Sequence, residues 1–131
     1  MNLRNMAIAA TAGTLCLSAA AAAHHSFAVF FDSSKTVQIE GTVTAYRFSN
    51  PHGTIALDVK KPNGSIEKWR VETTAPVVLR RRGWSRDSLH AGETVRITGW
   101  PAQDGTPYLR LQGAFDASGK PIGQAFRAGE D

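Results

Sequence analysis

Thr73-Thr74-Ala75-Pro76-Val77-Val78-Leu79-Arg80-Arg81-Arg82-Gly83-Trp84 is where the apolar pattern of this chain leaves a period of two. Thr73 and Thr74 are residue types that cap helices, Pro76 suits a first helical turn, and Val77, Val78 and Leu79 supply an apolar stripe. Gly83 is suited to the position just past a helix, and Trp84 follows where an apolar contact often accompanies the stop. The stretch therefore reads as one short helix. Ser85 to Leu89 has room for a further turn.

On both sides of it the period is two. Val37, Ile39, Gly41, Val43 and Ala45, with Phe48 beyond, mark a first strand, and Gly41 is the expected place for a bulge or sharp bend. Asn50-Pro51-His52-Gly53 ends it with turn chemistry. Ile55, Leu57 and Val59 make a second strand, Pro62-Asn63-Gly64 a hairpin turn, and Ile66, Trp69 and Val71 a third strand. After the helix, Val95, Ile97 and Gly99 form a fourth strand and Asp104-Gly105 a turn. Tyr108, Leu109 and Leu111 form a fifth strand whose inward face is ambiguous. Asp116-Ala117-Ser118-Gly119 turns again, and Ile122 to Phe126 has the composition of a short final strand. Three strands, a helix and two more strands is the order of the five-stranded Greek-key OB barrel, with the helix closing one end. The fold expected is all-β with one short helix, an OB-like barrel of five to six strands over residues 36–126. The rival is another small open barrel or a sandwich of six short strands.

The first 23 residues carry one charge, Arg4, then an apolar stretch from Met6 to Leu17 and a run of alanines from Ala19 to Ala23. That is the pattern of a cleaved secretory signal, and it places the protein in the periplasm or outside the cell. Cys16 is preceded by the bulky Leu15 where a lipid-attachment site wants a small residue, which argues against a lipoprotein. Cleavage after Ala23 leaves 108 residues at a net charge of +3, with residues 24–35 as an N-terminal arm and 127–131 as a polar tail. Cys16 is the one cysteine of the sequence, so the mature chain has no thiolate for catalysis or metal binding. No apolar run reaches the roughly 18–20 residues of a membrane span. A core drawn from 108 residues suffices without disulfides.

His24-His25-Ser26-Phe27-Ala28, then Gly41-Thr42-Val43, Asn50-Pro51-His52, Leu79-Arg80-Arg81-Arg82-Gly83-Trp84 and Gly92-Glu93-Thr94-Val95 occur in that order through most of the mature chain. In these blocks the sequence resembles a family of small exported bacterial proteins, domain-of-unknown-function family 6152. The resemblance implies export and a small β-barrel. It brings no catalytic residues with it.

Histidine is the residue type that carries chemistry here. His24 and His25 lie at the expected mature N-terminus, His52 in the first inter-strand turn and His90 before the fourth strand. Imidazole is the commonest protein metal ligand, and a free α-amine adds a second nitrogen. Cleavage after Ala23 makes His24 residue one, able to chelate through amine and ring, with His25 or His52 completing a three-nitrogen copper site. Cleavage after Ala22 puts a histidine third, and the amine, two backbone amides and that imidazole then suit square-planar Cu(II) or Ni(II). The alternative is that His24 and His25 are polar residues tolerated at a cut site and His52 part of an ordinary turn. His90 reads as a surface or hinge residue.

A second constellation joins Arg80, Arg81 and Arg82 to Trp84, with Trp69, Trp100 and Tyr46. Basic grooves with aromatic faces bind single-stranded nucleic acid, but a small net charge and an export signal argue against that, and arginines also suit a helix C-terminus. Capture of an anionic ligand or an envelope protein by Arg80, Arg81, Arg82 and Trp84 is the reading kept. No G-x-S-x-G, H-E-x-x-H, phosphate-binding glycine loop or clustered carboxylate pair is present, so no enzyme class is indicated. Two functions follow as expectations: an exported barrel binding copper or another divalent metal through His24, His25 and His52, or a metal-free envelope adaptor using the barrel face.

Overall fold

The structure, a computed structural model, describes residues 27–130. Residues 27–30 are helical. From Phe31 onward the chain builds a closed barrel from β1 (Val37–Arg47), β2 (Thr54–Lys60), β3 (Ile66–Glu72), β4 (Thr94–Pro101) and β5 (Tyr108–Asp116), with helix α1 (Pro76–Arg81) between β3 and β4. The strands close in the order β1-β2-β3-β5-β4. All pairs are antiparallel except β3 with β5, which is parallel and short, matching Arg70 to Tyr108, Val71 to Leu109 and Glu72 to Arg110. This is the OB-like Greek-key barrel with its one helix.

Alternation decides what fills it. Ile39 and Val43 from β1, Ile55 and Leu57 from β2, Val71 from β3, Val95 and Ile97 from β4, and Leu109 and Leu111 from β5 are all buried. Each such side chain removed from water stabilises by about 1.5–3 kcal/mol. Ile66 stands on the other face of β3 from Val71 and is exposed, which its odd offset of five in a period of two dictates. In α1, Leu79 is fully buried while Val77 and Arg80 are exposed, so the helix turns Pro76 and Leu79 inward.

The helix stop follows the expected chemistry and the start does not. Gly83 has φ +84°, its N–H donates to Arg80 O, and Trp84 N–H donates to Leu79 O, the paired bonds of a Schellman motif. At the other end the N-cap is Ala75, with no side-chain cap. Thr73 and Thr74 are both buried. Thr73 N–H donates to Gly53 O, Gly53 N–H donates to Thr74 O, and the Thr73 hydroxyl donates to Thr74 O. These threonines tie the β1–β2 loop to the end of β3, and that demand overrides their capping preference.

β1 is long because it serves two partners. Its first half pairs with β4 through Thr42, and from Thr42 onward it pairs with β2. Gly41 lies at this exchange, where a Cβ would stand 2.7 Å from Asp58 O. The glycine is therefore required by close approach, and the irregularity expected at Gly41 lies instead between Val43 and Ala45. The expected final strand also departs from expectation. Residues 122–126 make single backbone bonds, Ile122 N–H to Ala114 O and Phe126 N–H to Gln112 O, and form a strap along β5 rather than a sixth strand.

The turns share one device. Asp32, Asn63, Asp104 and Asp116 each use Oδ1 to accept from both the backbone N–H and the hydroxyl of the residue two positions on. A short acceptor followed by Ser or Thr thus mimics a backbone turn. The first of these lies in the stretch read from sequence as an arm, yet Phe31 bridges to Ala102 and Asp32 N–H donates to Pro101 O at 2.9 Å.

Candidate functional site

The parallel register of β3 and β5 sets Glu72 beside Arg110 and Arg70 beside Tyr108, on the side of β5 opposite to Leu109 and Leu111. Pairing of Thr54 with Glu72 brings the β1–β2 loop, and with it His52, to the same place. Glu72 is the hub. Its Oε1 accepts from Arg110 Nη1 at 2.7 Å and lies 2.8 Å from His52 Nδ1, while its Oε2 accepts from the Tyr108 hydroxyl. Arg70 lays its guanidinium 4.3 Å from the Tyr108 ring centroid, and Phe31 packs edge-on against the same ring. Arg110 is only 5% exposed.

This arrangement places the imidazole beside the carboxylate. The His52 ring meets Glu72 through Nδ1, and Nε2 is its other nitrogen. The His52 side chain is 44% exposed. Asp58, the carboxylate nearest to His52 along the first hairpin, is instead paired with Lys68. Among the described residues no three His, Cys, Asp or Glu side chains are grouped to hold a metal. His24 and His25 lie outside the described residues, as does the proposed leader with Cys16.

Burial acts on both tyrosines of the chain. It pushes the Tyr46 phenol up to about 12, and it raises Tyr108, assisted by the hydrogen bond to Glu72. A phenol whose folded pKa lies above its unfolded value of about 10 adds stability that is present below pH 10 and is lost as pH rises through the folded pKa. Alkaline titration is therefore expected to give little phenolate absorbance around pH 10 while the protein is folded, and the signal of both tyrosines once it is denatured. Half the tyrosine signal appearing at pH 10 in the folded protein would contradict the burial of one of them.

The arginine and tryptophan constellation is divided by the fold. Trp84 is 2% exposed, under Gly123 of the C-terminal strap. Arg82 donates to Ala125 O at 2.9 Å and to Glu130 at 2.7 Å and holds that strap. Arg80 and Arg81 face solvent. Trp100 is buried in β4, and Trp69 is half-buried on β3, where its Nε1 donates to Glu67. Tyr46 donates to Ser85 O and lies against Phe48 and Trp84. His90 is exposed and bonded to Glu93 within its own turn.

Among solved structures, a mitochondrial single-stranded DNA binding protein of S. cerevisiae, Rim1, is similar over 63% of this chain and 94% of its own, at 12% identity and TM-score 0.49. TiaS in complex with a tRNA and ATP is similar at 15% identity and TM-score 0.47, over 66% of this chain. A deletion mutant of TiaS in complex with agmatine is similar at 16% identity and TM-score 0.46, over 72%. The matched region spans only 19% and 23% of those two TiaS chains. No curated protein matches the sequence. The pattern of one family does match, over residues 12–109, and the chain belongs to it: the family of unknown function DUF6152.

Proposed function

We propose that the protein is an exported, periplasmic or secreted binding module that takes up a divalent metal, Cu(II) first among them, through histidine nitrogen. The observation that carries this reading is the His52 ring, whose Nδ1 lies 2.8 Å from Glu72 Oε1, so that Nε2 is the nitrogen away from that carboxylate. Metal-binding histidines nearly always donate their second N–H to a carboxylate or carbonyl, which orients the ring and raises its basicity. Glu72 is itself fixed by Arg110 and Tyr108, so the orientation is built into the β3–β5 seam. His24 and His25, with the α-amine that cleavage would expose, are the other candidate donors, and single substitutions assign which donors act together.

The test is Cu(II) titration of the processed protein, its N-terminus established by intact mass and its ligands read by electron paramagnetic resonance. Tight one-to-one binding with a nitrogen-rich signal is expected. His24→Ala, or one extra residue ahead of the mature N-terminus, should abolish it. His52→Ala and Glu72→Gln should weaken it by about 10–100-fold. Weak, multiple binding by the unaltered protein, or equal affinity in all four variants, overturns the reading.

A second reading, an envelope adaptor for an anionic or protein partner, is favoured by one observation. Arg80 and Arg81 are exposed and, among the described residues, in no ion pair.

A further inference from the structure

Part of the positive charge of the chain is clustered. Asp32, Asp58, Glu67, Glu72, Glu93 and Glu130 each meet a basic side chain. On α1 and the turn after it, Arg80, Arg81 and Arg86 are exposed, and among the described residues none of the three is in an ion pair. The Arg80 and Arg86 guanidinium carbons lie 5.2 and 5.8 Å from the centroid of the same Phe48 ring. Two cationic heads are thus gathered about one aromatic, which limits the rotamer freedom they would lose on binding. Val77 is 52% exposed and precedes Arg80 and Arg81 by three and four residues, so the three share a helix face turned away from the buried Leu79. Asp87, exposed beside Arg86, is the one carboxylate in this stretch and leaves it strongly positive.

The chemistry of the face selects its partner. Single-stranded nucleic acid requires exposed rings for stacking, and here Phe48 and Trp84 are 5% and 2% exposed. A protein interface requires a central apolar or aromatic anchor cluster, and α1 offers one valine. Unpaired arginines around a single exposed apolar side chain match a surface recognised by charge density without shape, the headgroup layer of an anionic bilayer. We propose that the Val77, Arg80, Arg81 and Arg86 face docks the barrel onto membranes rich in anionic phospholipid. This deepens the adaptor reading by naming its partner, and it is independent of metal binding.

The test is co-sedimentation of the purified protein with vesicles of phosphatidylcholine alone and with about one third phosphatidylglycerol, at low and high salt. Binding is expected only to the anionic vesicles and only at low salt. Each arginine near a charged surface contributes roughly a fivefold factor, so Arg80→Ser/Arg81→Ser/Arg86→Ser should lose on the order of a hundredfold. All three residues are exposed, and an unchanged circular dichroism spectrum and melt checks the variant's fold. Lys60→Ser/Lys61→Ser/Lys68→Ser removes the same charge from β2, β3 and the turn between them and should bind nearly as the unaltered protein does. Equal loss in both triple variants would assign binding to net charge and overturn the proposal, as would equal binding to zwitterionic vesicles or no binding at all. An arginine-dependent capture of polyglutamate without capture by vesicles would overturn the bilayer while leaving the adaptor reading standing.

Discussion

Glu72→Ala is expected to destabilise the barrel by about 3 kcal/mol, the lower end for breaking a buried ion pair, because it removes the carboxylate of a part-buried pair and leaves the buried Arg110 in place. Arg110 is buried, and its guanidinium would remain in place without the carboxylate that now lies at 2.7 Å. Tyr108 and His52 lose the same acceptor. In a domain of this size the melting temperature should fall by roughly 10–20 °C. Glu72→Gln keeps the volume and one acceptor oxygen, and should cost distinctly less. The pair Glu72→Ala/Arg110→Met, which withdraws both charges, should recover much of the loss, since an apolar isostere of a buried pair is often as stable as the pair. Urea unfolding of the three variants is the measurement. A loss below about 1 kcal/mol for Glu72→Ala would mean that the cluster orients His52 without holding the fold.

Gly123→Ala is the second large effect, about 2–4 kcal/mol. An added Cβ would stand 2.4 Å from the Trp84 Cδ1 and Nε1 atoms and 2.6 Å from Arg82 O, at a backbone with φ +66°. Neither the indole nor the helix end can move far, since Trp84 N–H closes α1 and Gln124 N–H donates to Arg82 O at 2.8 Å. Overpacking and the left-handed backbone each cost about 1–3 kcal/mol. The strap has an alternative, which is to lift away and expose Trp84, so the loss should show as a shifted and quenched tryptophan emission before the barrel melts. Gly105→Ala is the control. It has φ +76° and nothing within 4 Å of its added Cβ, so it carries the backbone cost alone, and equal melts for the two variants would refute the contact.

The order of strands and helix was legible because period-two alternation and turn residues are local signals. Gly83 and Trp84 stop α1 as their types require, and Asn63-Gly64 and Asp104-Gly105 turn where expected. Thr73 and Thr74 were misread because their backbones answer to a loop twenty residues away, which no local rule contains. Gly41 was recognised as special for the wrong reason: it makes room for the Asp58 carbonyl of the neighbouring strand. His52 stood out from its residue type alone, but Glu72 and Arg110 did not. Each sits as one charge among alternating charges on a strand, and only the parallel register of β3 against β5 makes them neighbours. Trp84 was read both as the apolar contact of the helix stop and as a ligand-binding candidate, and its cover, the Gly123 strap, is likewise distant in sequence.

The β3–β5 seam consists of three residue pairs between segments 38 positions apart. Such a contact carries the loop-closure entropy of everything between its ends, so it is expected to form after the hairpins of β1 with β2 and β2 with β3. Interactions made after the folding barrier leave the folding rate nearly untouched and govern the rate of escape. The Arg110, Tyr108 and His52 contacts on Glu72 would then act as a clasp on a kinetic gate. Losing it would shorten the lifetime of the folded barrel far more than it would slow the barrel's formation, and for a protein expected to work beyond the reach of cytoplasmic chaperones, lifetime is the form of stability that counts.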